Sequence, residues 1–215
     1  MKRETKSIVA TFAFMIAAFA LGAVLYKQAT KSAGVQVIPD GLIHDDSPTL
    51  GPKDAPVTIV EFLDPECESC KAFYPIMKEV LKTYEGRVRF VVRYMSFHRS
   101  SAVAVAATEA GGLQGKYWEM QGHLFATAEE WGHKETPIKS LFVNYARDLG
   151  LDVERFETDL EDPKWAAKIQ RDMADGSKFG VKATPTIFVN GALLEELSQS
   201  ALENSIEKAL KRSAR

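Results

Sequence analysis

The first feature in the pattern of apolar and polar positions is a run without charge. From Ile8 to Tyr26 the chain reads IVATFAFMIAAFALGAVLY, about long enough as one helix to cross a ~30 Å hydrocarbon core. Lys2, Arg3 and Lys6 precede it, and Tyr26 and Lys27 close it. That bias predicts one N-terminal transmembrane helix over 8–26 that enters the lipid bilayer, with the remainder exported. A cleaved signal is the competing reading: Ala18-Phe19-Ala20 fits a small-x-small pattern with cleavage near Ala20. The apolar run continues through Leu25, which favours the uncleaved anchor. Residues 31–50 then show no sustained period. They carry Gly34, Pro39, Gly41 and Pro48, and read as a linker.

The rest alternates between β and α signatures. Val57 to Leu63 is β-branched and apolar between Pro56 and Pro65, a buried strand in which Glu61 is the anomaly. A helix is predicted from about Cys67: Cys70, Phe73, Tyr74, Met77, Val80 and Leu81 recur at three- and four-residue steps, with Pro75 inside. Arg87 to Met95 reads as a second strand, so the unit is βαβ with a parallel pair. Helical segments broken by glycines fill 99–178, and about 99–160 is expected as an insertion. Pro185 to Val189 is a strand, Asn190-Gly191 a hairpin turn, Ala192 to Leu194 the return strand. Ser200-Ala201-Leu202-Glu203 reads as a capping box before a closing helix. The predicted organisation is 1–30 anchor or signal, 31–50 linker, and 51–215 one α/β domain.

Charge removes one class of function. With 27 Lys and Arg against 29 Asp and Glu, the net charge of -2 leaves no excess cation to neutralise phosphates, so nucleic acid is not an expected partner. Two cysteines are too few for a disulfide scaffold or a four-cysteine zinc site.

Those two, Cys67-Glu68-Ser69-Cys70, follow a predicted strand and open a predicted helix. The helix's first N–H groups and positive dipole end favour a thiolate there. Cys67 is therefore the expected attacking and attacked sulfur, and Cys70, one turn inward, the resolving one. A disulfide across three residues constrains little of the unfolded chain, which argues against a purely structural bond. Half of a metal site and two buried small hydrophobes are the other readings, and the strand–CxxC–helix context favours redox chemistry.

Glu61-Phe62 with Cys67-Glu68-Ser69-Cys70-Lys71, Ala183-Thr184-Pro185-Thr186-Ile187-Phe188-Val189-Asn190-Gly191, and Gln114-Gly115-Lys116-Tyr117-Trp118 within the helical block resemble bacterial DsbA-like thiol:disulfide oxidoreductases. The resemblance spans about residues 49 to 213. It implies a thioredoxin-like fold with an inserted helical subdomain, and a cis peptide before Pro185 in a loop facing the CxxC. It also implies Glu61 as a buried acid exchanging protons with Cys70. The expected chemistry is protein thiol:disulfide exchange through Cys67 and Cys70, with no organic cofactor. Cysteine-containing exported proteins are the expected substrates, and a membrane redox partner is expected to reset the pair. The expected location is the bacterial cell membrane with the catalytic domain outside the cytoplasm, at the periplasm or cell surface. The strongest oxidants of the family carry Pro-His between the cysteines and Val before the cis proline. Here Glu68-Ser69 and Thr184 stand there, and the charge of Glu68 opposes a thiolate. A less oxidising protein is expected, with the direction of electron flow open.

Two further readings belong to other classes: a carrier holding a soft ion such as Cu(I) between both thiolates, and a binding module on a thioredoxin scaffold. Glu119 and His123 share a helix face at i,i+4, and a surface or packing role is expected there. His98-Arg99 is placed near the active-site face, as a loop cap or a substrate-tuning element. His44 is expected to be solvated.

Overall fold

The computed structural model describes residues 38–134 and 138–214. Its centre is a five-stranded sheet. The strands are β1 (Thr49–Leu50), β2 (Val57–Leu63), β3 (Val88–Tyr94), β4 (Thr186–Val189) and β5 (Ala192–Leu193), in the order β1-β3-β2-β4-β5. β2 and β3 are parallel, with Leu63 beside Tyr94. β4 runs antiparallel to β2, with Thr186 beside Phe62. The carboxyl ends of β2 and β3 and the start of β4 therefore meet at one end of the sheet.

β2 lies in the middle and is covered on both faces, so every residue in it is buried. Val57, Ile59 and Leu63 face a core shared with α1 (Glu68–Thr83) and α8 (Gln199–Ser213), where Phe73, Met77, Val80, Leu202 and Ile206 pack. Val60 and Phe62 point the other way, toward Val91, Met95 and Met173 of α7 (Lys164–Lys178). That helix comes so close that a Cβ on Gly176 would stand 2.6 Å from the Met95 sulfur. By strand alternation Glu61 faces the α1 side.

Between β3 and α7 the chain forms α2 (Ser101–Gly112), α3 (Tyr117–Ala126), α4 (Ala128–Trp131), α5 (Lys139–Asp148) and α6 (Val153–Leu160). Ala104, Ala107, Met120, Leu124, Trp131 and Phe142 make a second core of their own. The α/β core with an inserted helical subdomain stands. At Asn190 and Gly191, φ is +46° and +80°, the positive values the hairpin requires.

The single-pass membrane architecture is a correction. Among the described residues no helix is long and apolar enough to cross a membrane. Residues 8–26, on which the spanning helix was expected, lie outside the described residues. No described helix supports the bilayer contact, the membrane location or the membrane redox partner that were expected with it, and these are not carried further.

Smaller departures have local causes. The segment 38–50, expected as linker, is part of the fold. Leu42 is fully buried, and Thr49–Leu50 pairs with β3. The buried Arg93 donates to the carbonyls of Gly41 (2.7 Å) and Leu42 (2.8 Å) while pairing with Asp172 and Asp175, each at 2.9 Å. His44 is not free in solvent; its Nε2 lies 2.8 Å from Asp175. The closing helix starts before the expected capping box: Ser198 is extended, and its Oγ accepts from the Ala201 N–H. Glu203 instead receives the Gln199 side chain at 2.9 Å.

Candidate active site

Cys67 is the N-cap of α1, with extended backbone (φ −76°, ψ 124°), and Cys70 lies one turn into the helix. The cap is fixed from below, because the Cys67 N–H donates to the Asp64 carbonyl at 3.1 Å. Cys67 is half-buried and Cys70 is 1% exposed; both are free thiols here. Glu68 and Ser69 are exposed between them. The loop before β4 closes over the first sulfur. Cys67 Sγ donates to the Thr184 carbonyl at 3.3 Å, and the Thr184–Pro185 peptide is cis. Thr184 and Pro185 are themselves half-buried.

Electrostatics separate the two sulfurs. A hydrogen bond from the Cys70 thiol lowers the Cys67 pKa, while burial opposes ionisation. The Thr184 side chain and the N–H groups of Cys70 and Ser69 add to the lowering, and the result falls from 9.0 to about 5. The Thr184 carbonyl can serve only the neutral thiol, but the donors prevail. For Cys70, burial, the bond it gives to Cys67 and the nearby Glu61 push the thiol far above its ordinary range, against an opposing Asp64 N–H.

Glu61 is 5% exposed. Burial first, and then the charge of Cys67, raise its pKa from 4.5 to about 8. With Cys70 it lines a cavity of about 100 Å³ walled by Tyr74, Met77, Trp118 and Phe125. Trp118, from the helical block, packs against Phe90 of β3 with ring centres 5.8 Å apart.

Sequence reasoning missed the two acids directly before the motif. Asp64 is fully buried. Its carboxylate accepts from the Phe97 N–H (2.8 Å), the His98 N–H (3.3 Å), His98 Nδ1 (2.8 Å) and the Ser101 hydroxyl. Glu66 accepts from the N–H groups of Ser100 (2.6 Å) and His133 (2.7 Å). The pair latches segments 97–101 and 132–133 beside the cysteines. No local signal marked them, because Asp64-Pro65-Glu66-Cys67-Glu68-Ser69 reads as a polar loop and their donors lie far along the chain. The other candidates stay apart: Glu119 pairs with Lys116, and His123 packs against Tyr145.

Among the described residues no group of three or more His, Cys, Asp or Glu could hold a metal ion. Two sulfurs alone, one held strongly to its proton, make a poor soft-metal donor set.

Comparison with known proteins agrees with this geometry. The family model described as Thioredoxin matches residues 44–208. Disulfide bond formation protein D of Bacillus subtilis is 31% identical over 176 residues, covering 76% of this chain and 77% of that protein. The crystal structure of oxidised BdbD from Bacillus subtilis superposes with a TM-score of 0.67 at 30% identity, over 77% of this chain and 93% of that one. A Na(+)/H(+) antiporter NhaA of Herminiimonas arsenicoxydans is 29% identical over 216 residues, covering 98% of this chain but 34% of that protein. The chain thus spans between 21% and 34% of the first curated relatives it matches. With the family matched over most of its length, and a similar chain matched over three quarters of each partner, this chain belongs to the DsbA-like oxidoreductases of the thioredoxin family.

Proposed function

We propose that the chain is a protein thiol:disulfide oxidoreductase with Cys67 as the exchanging sulfur and Cys70 as the resolving one. The observation that carries this is their asymmetry within one helical turn: an accessible sulfur with a pKa of about 5, and a buried one held far above its ordinary range. A substrate thiolate attacks Cys67 of the Cys67–Cys70 disulfide. The S–S bond breaks, and its electron pair leaves on Cys70. So basic a thiolate needs a proton, and Glu61, with a pKa of about 8, is protonated at neutral pH to give one. A second substrate thiolate then attacks the substrate sulfur of the mixed disulfide, and Cys67 departs as a stable thiolate. Thr184 and Pro185 border the sulfur that receives the substrate, so the Thr184 backbone is the natural rest for an extended segment. Glu68 and Ser69 present the exposed rim of the same opening.

A stable Cys67 thiolate stabilises the reduced pair, so disulfide donation is the proposed direction. The relative named for disulfide bond formation supports that direction. Interpolating between thioredoxin-fold proteins with thiol pKa values of ~3.5 and ~7, and potentials of ~−120 and ~−270 mV, a pKa of about 5 corresponds to roughly −180 mV. The substrates proposed are proteins with cysteine pairs. Equilibration of the Cys67–Cys70 couple with glutathione measures the potential; a value at or below about −270 mV overturns the donor direction.

A further inference from the structure

We propose that His98 is a positioning residue for this exchange: its imidazolium, held at the rim by Asp64, supplies the positive charge that favours the Cys67 thiolate and hence the dithiol form of the pair. The inference rests on the oxidoreductase reading above.

The motif carries no cation between its cysteines, where Glu68 and Ser69 stand. Lys71, just after it, is engaged with Glu129 at 2.6 Å. The nearest built arrangement is the one around Asp64. Its carbonyl receives the Cys67 N–H, and its carboxylate grips both the main chain and Nδ1 of His98. One residue therefore fixes the sulfur-bearing helix cap and the imidazole together. Because a carboxylate only accepts, Nδ1 carries a proton throughout, and Nε2 is the nitrogen that gains or loses one. The His98 side chain is 36% exposed, so that nitrogen exchanges with solvent.

The ring touches Asp64 before α1 and, after α4, His133 with ring centres 5.5 Å apart, and the charges of Glu66 and Cys67 act on it from the same cap. Arg99 is its neighbour in the chain. Burial opposes the imidazolium, but the Asp64 contact, the Cys67 thiolate and Glu66 outweigh it and raise the His98 pKa. Linkage makes the effect mutual: a thiolate that favours the imidazolium is favoured by it to the same degree.

In the exchange, a substrate dithiol supplies two electrons and becomes a disulfide. The Cys67–Cys70 bond breaks, Cys67 keeps a negative charge, and Cys70 keeps one of the two substrate protons. The second proton is released, and His98 takes a share of it as the charge appears beside it.

The test follows the His98 ring protons by NMR titration of the wild type as dithiol and as disulfide. The midpoint is expected to be higher in the dithiol form. In parallel, Cys67 is titrated by thiolate absorbance in His98→Gln. The thiolate:thiol ratio at a given pH is expected to fall about threefold to tenfold, the order of effect of one charge in a wet site. That corresponds to a potential about 15 to 30 mV more reducing. Equal His98 midpoints in both redox forms overturn the proposal, and so does an unchanged Cys67 titration in a folded His98→Gln. If that variant does not fold, the wild-type NMR comparison decides alone. A wild type in which Cys67 titrates as an ordinary thiol and exchanges no disulfide overturns the oxidoreductase reading as well, whereas normal exchange with redox-blind His98 overturns only this one.

Discussion

Replacing Glu61 by Gln should flatten the pH dependence of stability in the reduced protein. The carboxyl titrates near 4.5 in an unfolded chain and at about 8 in the fold. A folded value above the unfolded one means that the contribution is fully present below pH 4.5. It is lost as pH rises, because the unfolded state ionises while the folded state stays protonated, and it is gone above pH 8. At ~1.36 kcal/mol per unit, the loss between pH 4 and pH 8 is about 4 kcal/mol. Glutamine has nearly the same shape and no such titration, so the difference between wild type and Glu61→Gln should grow by about that amount across the window, in favour of the variant. Comparing two profiles removes whatever constant offset the buried amide introduces. Urea unfolding of both dithiol forms at pH 4, 6 and 8 measures it. Profiles that stay parallel within about 1 kcal/mol would refute the account of Glu61 as an acid held neutral by burial.

Other outcomes follow from the same contacts. Cys70→Ala removes the largest group lowering the Cys67 pKa, so the thiolate midpoint should rise from about 5 toward 9, by at least ~1 unit, as read by ultraviolet absorbance; an unmoved midpoint would place the cause elsewhere. Arg93→Met leaves Asp172 and Asp175 without their buried partner and should cost about 3–5 kcal/mol in urea unfolding. Leu42→Ala should cost about 2–5 kcal/mol if 38–50 belongs to the core, and almost nothing if that segment is a tether.

Local pattern carried much of the architecture. Strand and helix periods placed β2, α1 and β3 within a residue or so, and Asn190-Gly191 announced a turn that only positive φ can make. The cysteine pair was legible because three residues span one helical turn. Glu61 was harder. Both of its neighbours are apolar because β2 is covered on both faces, so alternation could not say which face it joins until helices were packed on each. Asp64 and Glu66 find their donors 33 to 67 residues away, and no local period encodes such a meeting. The same holds for Arg93 and the carbonyls of Gly41 and Leu42, about fifty residues apart. Ser198 took the helix cap because its own backbone was extended there, a conformation its neighbours in sequence do not dictate.

The convergence of two parallel strand ends with the start of an antiparallel third has an evolutionary side. Each of the three loops at that end adjoins a strand whose register is fixed by buried side chains, so positions outside the Asp64 and Glu66 contacts can change without disturbing the sheet beneath. Swapping two residues between the cysteines, or the one ahead of the proline, would retune the electron affinity of one sulfur while the scaffold underneath is inherited intact.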